Sequence, residues 1–154
     1  MTVVKAYSCR NKIDPPDNKS LLPPNIISLL IESIAQNTTG SVFVPKSGGA
    51  LEVSGSPTEK AILQWGVNLG MDFNAAKSKS MIIHAFPFNS EKKRGGVAVK
   101  LVIGAISSDV IYCLMIIHAF PFNSEKKRGG VAVKLVIGEI SSDVIYCLHL
   151  SLST

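Results

Sequence analysis

Three kinds of side chain in this sequence could act together on a ligand: an aromatic ring, a knot of cations and a well-placed carboxylate. Phe88 closes the run Phe86-Pro87-Phe88 and stands shortly before Lys92-Lys93-Arg94. A flat aromatic face can stack on a base, at about 1–3 kcal/mol by analogy with single-stranded nucleic-acid sites, and an ammonium suits a phosphate. Glu59 ends Ser56-Pro57-Thr58-Glu59, with an N-cap serine, proline at the first helical position and glutamate at the third, which is a capping box. Each group also has a plainer reading. The cap accounts fully for Glu59, Phe88 suits the core at a strand end, and a basic cluster usually marks a solvated turn. The residues by themselves favour the plainer reading in all three cases.

Other chemistries are poorly served. Cys9, Cys113 and Cys147 form no Cys-x-x-Cys pair, and His84, His118 and His149 are scattered, so neither a metal site nor a disulfide framework is expected. His84 reads as a packed strand residue. The formal net charge is only +5, and part of that excess comes from basic residues that occur twice. A nucleic-acid binder would show a continuous basic face with aromatic residues spaced through it, so no nucleic-acid partner is expected. The longest uncharged run, Val110–Ser124, is shorter than the ~20 apolar residues that cross a bilayer. The N-terminus carries no signal-peptide pattern, and a cytosolic chain without direct membrane insertion is expected. Asn37-Thr38-Thr39 matches a glycosylation sequon, read here as accidental.

The elements that would position these groups are legible. A hydrophobic fraction of 46% against 18% charged residues argues for a folded core. Thr2–Tyr7 reads as a strand, and the proline-marked stretch Asn11–Pro24 as a loop. Pro24 opens a helix through Gln36 whose apolar face carries Ile26, Ile27, Leu30 and Ile34. Ser41–Val44 and Leu51–Ser54 read as a hairpin. A second helix follows the capping box, carrying Ala61, Ile62 and Trp65, with Gly70 as its stop. Met81–Phe88 and Val97–Ile103 read as strands joined by the polar Asn89–Gly96, and Asp109–Leu114 as a shorter third. The expected class is α+β, a mostly antiparallel sheet flanked by helices.

At Met115 the sequence begins again. Met81–Leu114 and Met115–Leu148 agree at every position except Ala105 against Glu139. A 34-residue period also belongs to a helix-pair solenoid, but this unit reads as strands and occurs only twice. Near-identity marks a recent tandem duplication or an error in assembling the coding sequence. The expected organisation is 1–114 as a partial domain, 115–148 as the copy and 149–154 as a tail.

Three stretches carry a resemblance to a known family. They are Ile34-Ala35-Gln36-Asn37-Thr38-Thr39-Gly40-Ser41-Val42-Phe43, Val53-Ser54-Gly55-Ser56-Pro57-Thr58-Glu59-Lys60-Ala61-Ile62-Leu63, and Phe86-Pro87-Phe88-Asn89-Ser90-Glu91-Lys92-Lys93-Arg94-Gly95-Gly96-Val97. Together they resemble the nucleotide-binding domain of P-type calcium pumps, specifically the autoinhibited, calmodulin-regulated calcium ATPases of plants. The resemblance implies ATP as ligand, with Mg²⁺ in the parent enzyme, in a membrane-embedded pump whose domain of this kind faces the cytosol. It implies that Glu59 contacts the adenine, Phe88 stacks on its ring and Lys93 lies near the nucleotide. Phe122 and Lys127 are then second copies of Phe88 and Lys93.

Much of the family pattern does not occur in these residues. The Asp-Lys-Thr-Gly-Thr phosphorylation motif and the Lys-Gly-Ala motif are both missing, the sequence departing from the family near Val102. Phosphoryl transfer needs an acceptor aspartate and Mg²⁺ ligands beside a nucleotide cradle, so no such activity is expected of this chain alone. Besides an ATP-binding fragment, two other readings follow. One is an inert product of a rearranged gene; the other is a module binding the parent pump, or itself, through unpaired strand edges. Two identical strand pairs are expected to compete for one place in the sheet, leaving Val110–Ile117 exposed and the chain poorly soluble.

Overall fold

The computed structural model describes the backbone of residues 1–8, 11–92, 94–103, 106–123, 128–139 and 145–153, and side chains up to residue 100 except 9–10 and 93–94. Strand β1 (Thr2–Ser8) turns into the short β2 (Asn11–Ile13). After a 3-10 turn at Lys19–Leu21, helix α1 spans Pro24–Gln36, starting where proline loses no backbone bond. β3 (Ser41–Phe43) and β4 (Glu52–Ser54) pair as the expected antiparallel hairpin. Helix α2 (Pro57–Asn68) begins at the capping box, with both reciprocal bonds formed. A six-residue helix, α3 (Phe73–Ser78), is capped by Asp72, whose side chain accepts from the Ala75 N–H.

The remaining strands are β5 (Ser80–Asn89), β6 (Arg94–Ile103), β7 (Ile106–Asn123), β8 (Arg128–Glu139) and β9 (Ile145–Ser153). With β1 and β2 they form a seven-stranded sheet in the order β2-β1-β9-β8-β7-β6-β5. Its pairings are all antiparallel. The class is therefore α+β. The core lies where the helices meet one another and this sheet: Leu63 and Trp65 of α2 and Ile34 of α1 are buried with Ala6 of β1 and Val97 and Val99 of β6.

Three expectations change. The stretch Asn11–Pro24 contains β2 and the 3-10 turn, and residues 149–153 are the second half of β9 instead of a tail. Both copies take places in the one sheet, since hairpins laid side by side lengthen it. The start of the second copy, Met115, falls inside β7, and the run Val110–Ile117 is drawn into that strand, between β6 and β8 over much of its length.

The two copies pair alike in one respect and differently in another. β5–β6 and β7–β8 share one register: Ile82 pairs with Val99 and Asn89 with Arg94, just as Ile116 pairs with Val133 and Asn123 with Arg128. The next pairing does not repeat. Cys113 pairs with Gly96, whereas Cys147 pairs with Val136. Gly130 is the counterpart of Gly96, so the second ladder is displaced by six residues. An even displacement leaves the alternation of faces unchanged, so the period-two pattern does not select between the two registers.

Candidate functional site

A cavity of about 600 Å³ opens between the end of α1, the start of α2, and β5 and β6, with Lys77 of α3 in its wall. That is within the roughly 300–1,000 Å³ of ordinary small-molecule sites. Two sequence-derived candidates, Glu59 and Phe88, line it together with Asn37, Thr38, Thr39 and Lys77. Lys93 and Lys127 lie outside the described residues. Phe122 falls on β7, two strands along from Phe88 and at the matching place in its hairpin.

Glu59 is held by four bonds. Its Oε1 accepts from Thr39 N–H (2.9 Å), Thr39 Oγ1 (2.8 Å) and Thr38 Oγ1 (3.2 Å). Its Oε2 accepts from the Ser56 N–H at 2.9 Å, and the Ser56 hydroxyl accepts in turn from the Glu59 N–H at 3.3 Å. Burial alone would raise its pKa, but the donors from Ser56 and Thr39 outweigh it and bring the carboxyl to about 2. The carboxylate therefore closes the cap and also fixes the Thr38–Thr39 wall of the cavity. Gly55 just ahead of the cap has φ +133°, where a side chain would be strained, and a Cβ there would press on the Glu59 side chain.

Phe88 is 51% exposed on β5. It does not fill the core at a strand end, which was the plainer alternative. Opposite it, a Cβ on Gly95 would come within 3.0 Å of the Phe88 Cα, so glycine lets β6 pass close beside the ring-bearing residue. The turn between the strands is closed by Asn89, whose Oδ1 accepts from the Lys92 N–H at 2.7 Å. His84 is exposed on the same strand, not packed, with its ring edge-on to Phe86 at 4.5 Å. β5 is an edge strand with exposed residues nearly throughout, which is why neither residue is buried.

Sequence reasoning missed the back wall. Gln36 Nε2 donates to the carbonyls of Ala76 and Lys77, both at 3.0 Å, tying α1 to α3. Lys77 Nζ donates to the Ala35 carbonyl at 3.0 Å, and burial lowers its pKa. Asn37 is the C-cap of α1, and its Nδ2 is buried with no partner among the described residues. The signal was present in Asn37-Thr38-Thr39, but as a glycosylation match it pointed away from the cavity. Among the described residues no group of three or more His, Cys, Asp or Glu could hold a metal ion, and no helix is long and apolar enough to cross a membrane.

Comparison with known proteins places this chain in a family. The chain is 61% identical over 110 residues to "Calcium-transporting ATPase 5, plasma membrane-type" of Oryza sativa subsp. japonica, covering 71% of this chain and 10% of that protein. It is 62% identical over 106 residues to "Calcium-transporting ATPase 8, plasma membrane-type" of Arabidopsis thaliana, covering 69% of this chain and 10% of that one. The chain thus spans about a tenth of the length of these relatives. A family model described as the P-type ATPase cytoplasmic domain N matches residues 25–116, more than half of the chain, and the protein belongs to that family.

Proposed function

We propose that this chain is an ATP-binding fragment of a plasma-membrane-type calcium pump, able to hold a nucleotide but not to complete phosphoryl transfer or transport by itself. The observation that supports this most is the shared cavity, which joins the Phe88 ring to the Glu59 wall in a space of ligand size. Phe88 stacks on the adenine. Glu59 has Oε1 fully occupied by threonine donors, so Oε2 is the atom with capacity left for the base's amino group. Lys93 attends the phosphates, with Lys127 and Phe122 as the second set. In the parent pump the domain faces the cytosol, Mg²⁺ accompanies the ATP, and calmodulin regulates the calcium export that ATP drives.

Calorimetric titration with ATP tests this reading. Phe88→Ala should weaken binding on the order of 10-fold, the loss of one stacking contact, and Phe88→Ala with Phe122→Ala at least as much. Equal affinity in wild type, both single variants and the double variant would show that the pocket is wrongly assigned.

A second reading is favoured by one observation: among the described strands β5 is an unpaired edge, with Met81 69%, Ile83 52% and Phe86 46% exposed. Such an edge suits strand addition by a second copy or by the parent pump. Ile83 does not line the cavity, so Ile83→Lys should turn a dimer into a monomer by sedimentation while leaving nucleotide affinity intact. A wild-type chain that sediments as a monomer at high concentration would remove this reading.

A further inference from the structure

We infer that Lys77 reads the adenine base, its ammonium donating to ring nitrogen N1 while Glu59 takes the neighbouring amino group, an inference that rests on the nucleotide reading above. Helix α3 carries Lys77 and leads into β5 at Ser80. Phe88 and the turn closed by Asn89 stand at the other end of that strand. A nucleotide whose base stacks on Phe88 and whose phosphates are drawn to Lys93, in the sequence just after that turn begins, carries its ribose on the same side. The edge of adenine farthest from the ribose bears N1 and the amino group. That edge faces along the cavity towards the Lys77 end, and Lys77 and Glu59 both line the cavity.

The lysine is held as a donor before any ligand arrives. Gln36 Nε2 donates to the Lys77 carbonyl and Lys77 Nζ to the Ala35 carbonyl, both at 3.0 Å, so its backbone and its ammonium are each tied to the last turn of α1. Nζ also stands 5.9 Å from the centroid of the Phe73 ring, within reach of a cation–π attraction. Rotamer freedom that a loose lysine would give up on binding is thus given up on folding. An ammonium has three protons, and capping the negative end of α1 accounts for one of them. The side chain is half-buried and is the one cation among the described residues of the lining. A carboxylate only accepts and an ammonium only donates, which matches the amino group and N1 of adenine. Guanine and hypoxanthine place a carbonyl oxygen and an N–H there, so both partners would be wrong. The Ser56 and Thr58 hydroxyls in the same lining can donate or accept, and so serve either kind of base.

The test is a cycle of two ligands and two proteins, using the full chain and calorimetry. Wild type should bind ATP on the order of 10-fold more tightly than 1-deaza-ATP, in which a C–H replaces N1, the scale of one charged hydrogen bond. Lys77→Met, which keeps the length and drops the charge, should bind the two ligands alike and weakly. Its loss should be the same for AMP as for ATP, because the contact is with the base. Equal wild-type affinity for ATP and 1-deaza-ATP overturns the inference even if the variant does not fold. So does a preference that survives in Lys77→Met, or a loss confined to ATP, which would put the ammonium at the phosphates. If wild type binds neither ATP nor AMP, the nucleotide reading has failed first and this inference with it.

Discussion

Glu59 shows how one carboxylate can answer to two constraints. Its cap partner, Ser56, is three residues away, and so was readable from spacing. Its other donors, on Thr38 and Thr39, come from the far side of α1's C-terminus, and no local pattern announces them. Because its folded-state pKa is about 2, below the usual 4.5, the unfolded chain takes up the proton first as acid is added. The stability Glu59 supplies is fully present above pH 4.5 and drains away as the pH falls towards 2. Glu59→Gln should flatten this acid limb: melts at pH 7 and pH 3 should differ less in the variant than in wild type. A variant as acid-sensitive as wild type would assign the limb to other carboxylates. Ser56→Ala should cost about 1 kcal/mol in urea unfolding, and a neutral effect would mean that the cap is made elsewhere.

At the scale of elements, the longer helices were legible and the short pieces were not. α1 follows from a proline at its start and a broad apolar face over three turns. α3 is six residues long, too short for a 3.6-residue period to show, and β2 sits in a stretch whose prolines read as loop. That stretch is pinned by something no period encodes: the Trp65 Nε1–H donates to the Pro16 carbonyl at 2.8 Å, with the ring otherwise buried. Trp65→Phe should cost about 1–3 kcal/mol by leaving that carbonyl unpaired. Leu63→Ala, at a fully buried position, should cost about 2–5 kcal/mol. Equilibrium denaturation of each variant checks both, and a Leu63→Ala cost below 1 kcal/mol would contradict the packing described.

For the whole molecule, the repeated segment was plain in the sequence but its placement was not, since near-identical text gives no preference for one set of neighbours. The structure lodges both copies in one sheet and pairs them in two registers. Removing residues 115–148 would join Leu114 to His149, the same junction that Leu148 makes now. The first four residues of β9, Ile145–Leu148, would be replaced by the identical Ile111–Leu114. The sheet should close up with two strands fewer and a single register for each pairing. The shortened chain should then elute as one sharper species than the full chain and remain more soluble. Equal heterogeneity in the two would mean that the repeat is not its source.

The two edges of this sheet are unlike: β2 is three residues long, while β5 runs for ten. A three-residue edge offers almost no ladder to a newcomer. Among the described strands of this sheet, the self-association proposed above would therefore run through β5 against β5, which places the same surface on both sides of a two-fold axis. Such an arrangement is closed. A pair of that kind would present β2 at the outer ends of its joined sheet, so edge-to-edge growth of this sheet would stop at two chains.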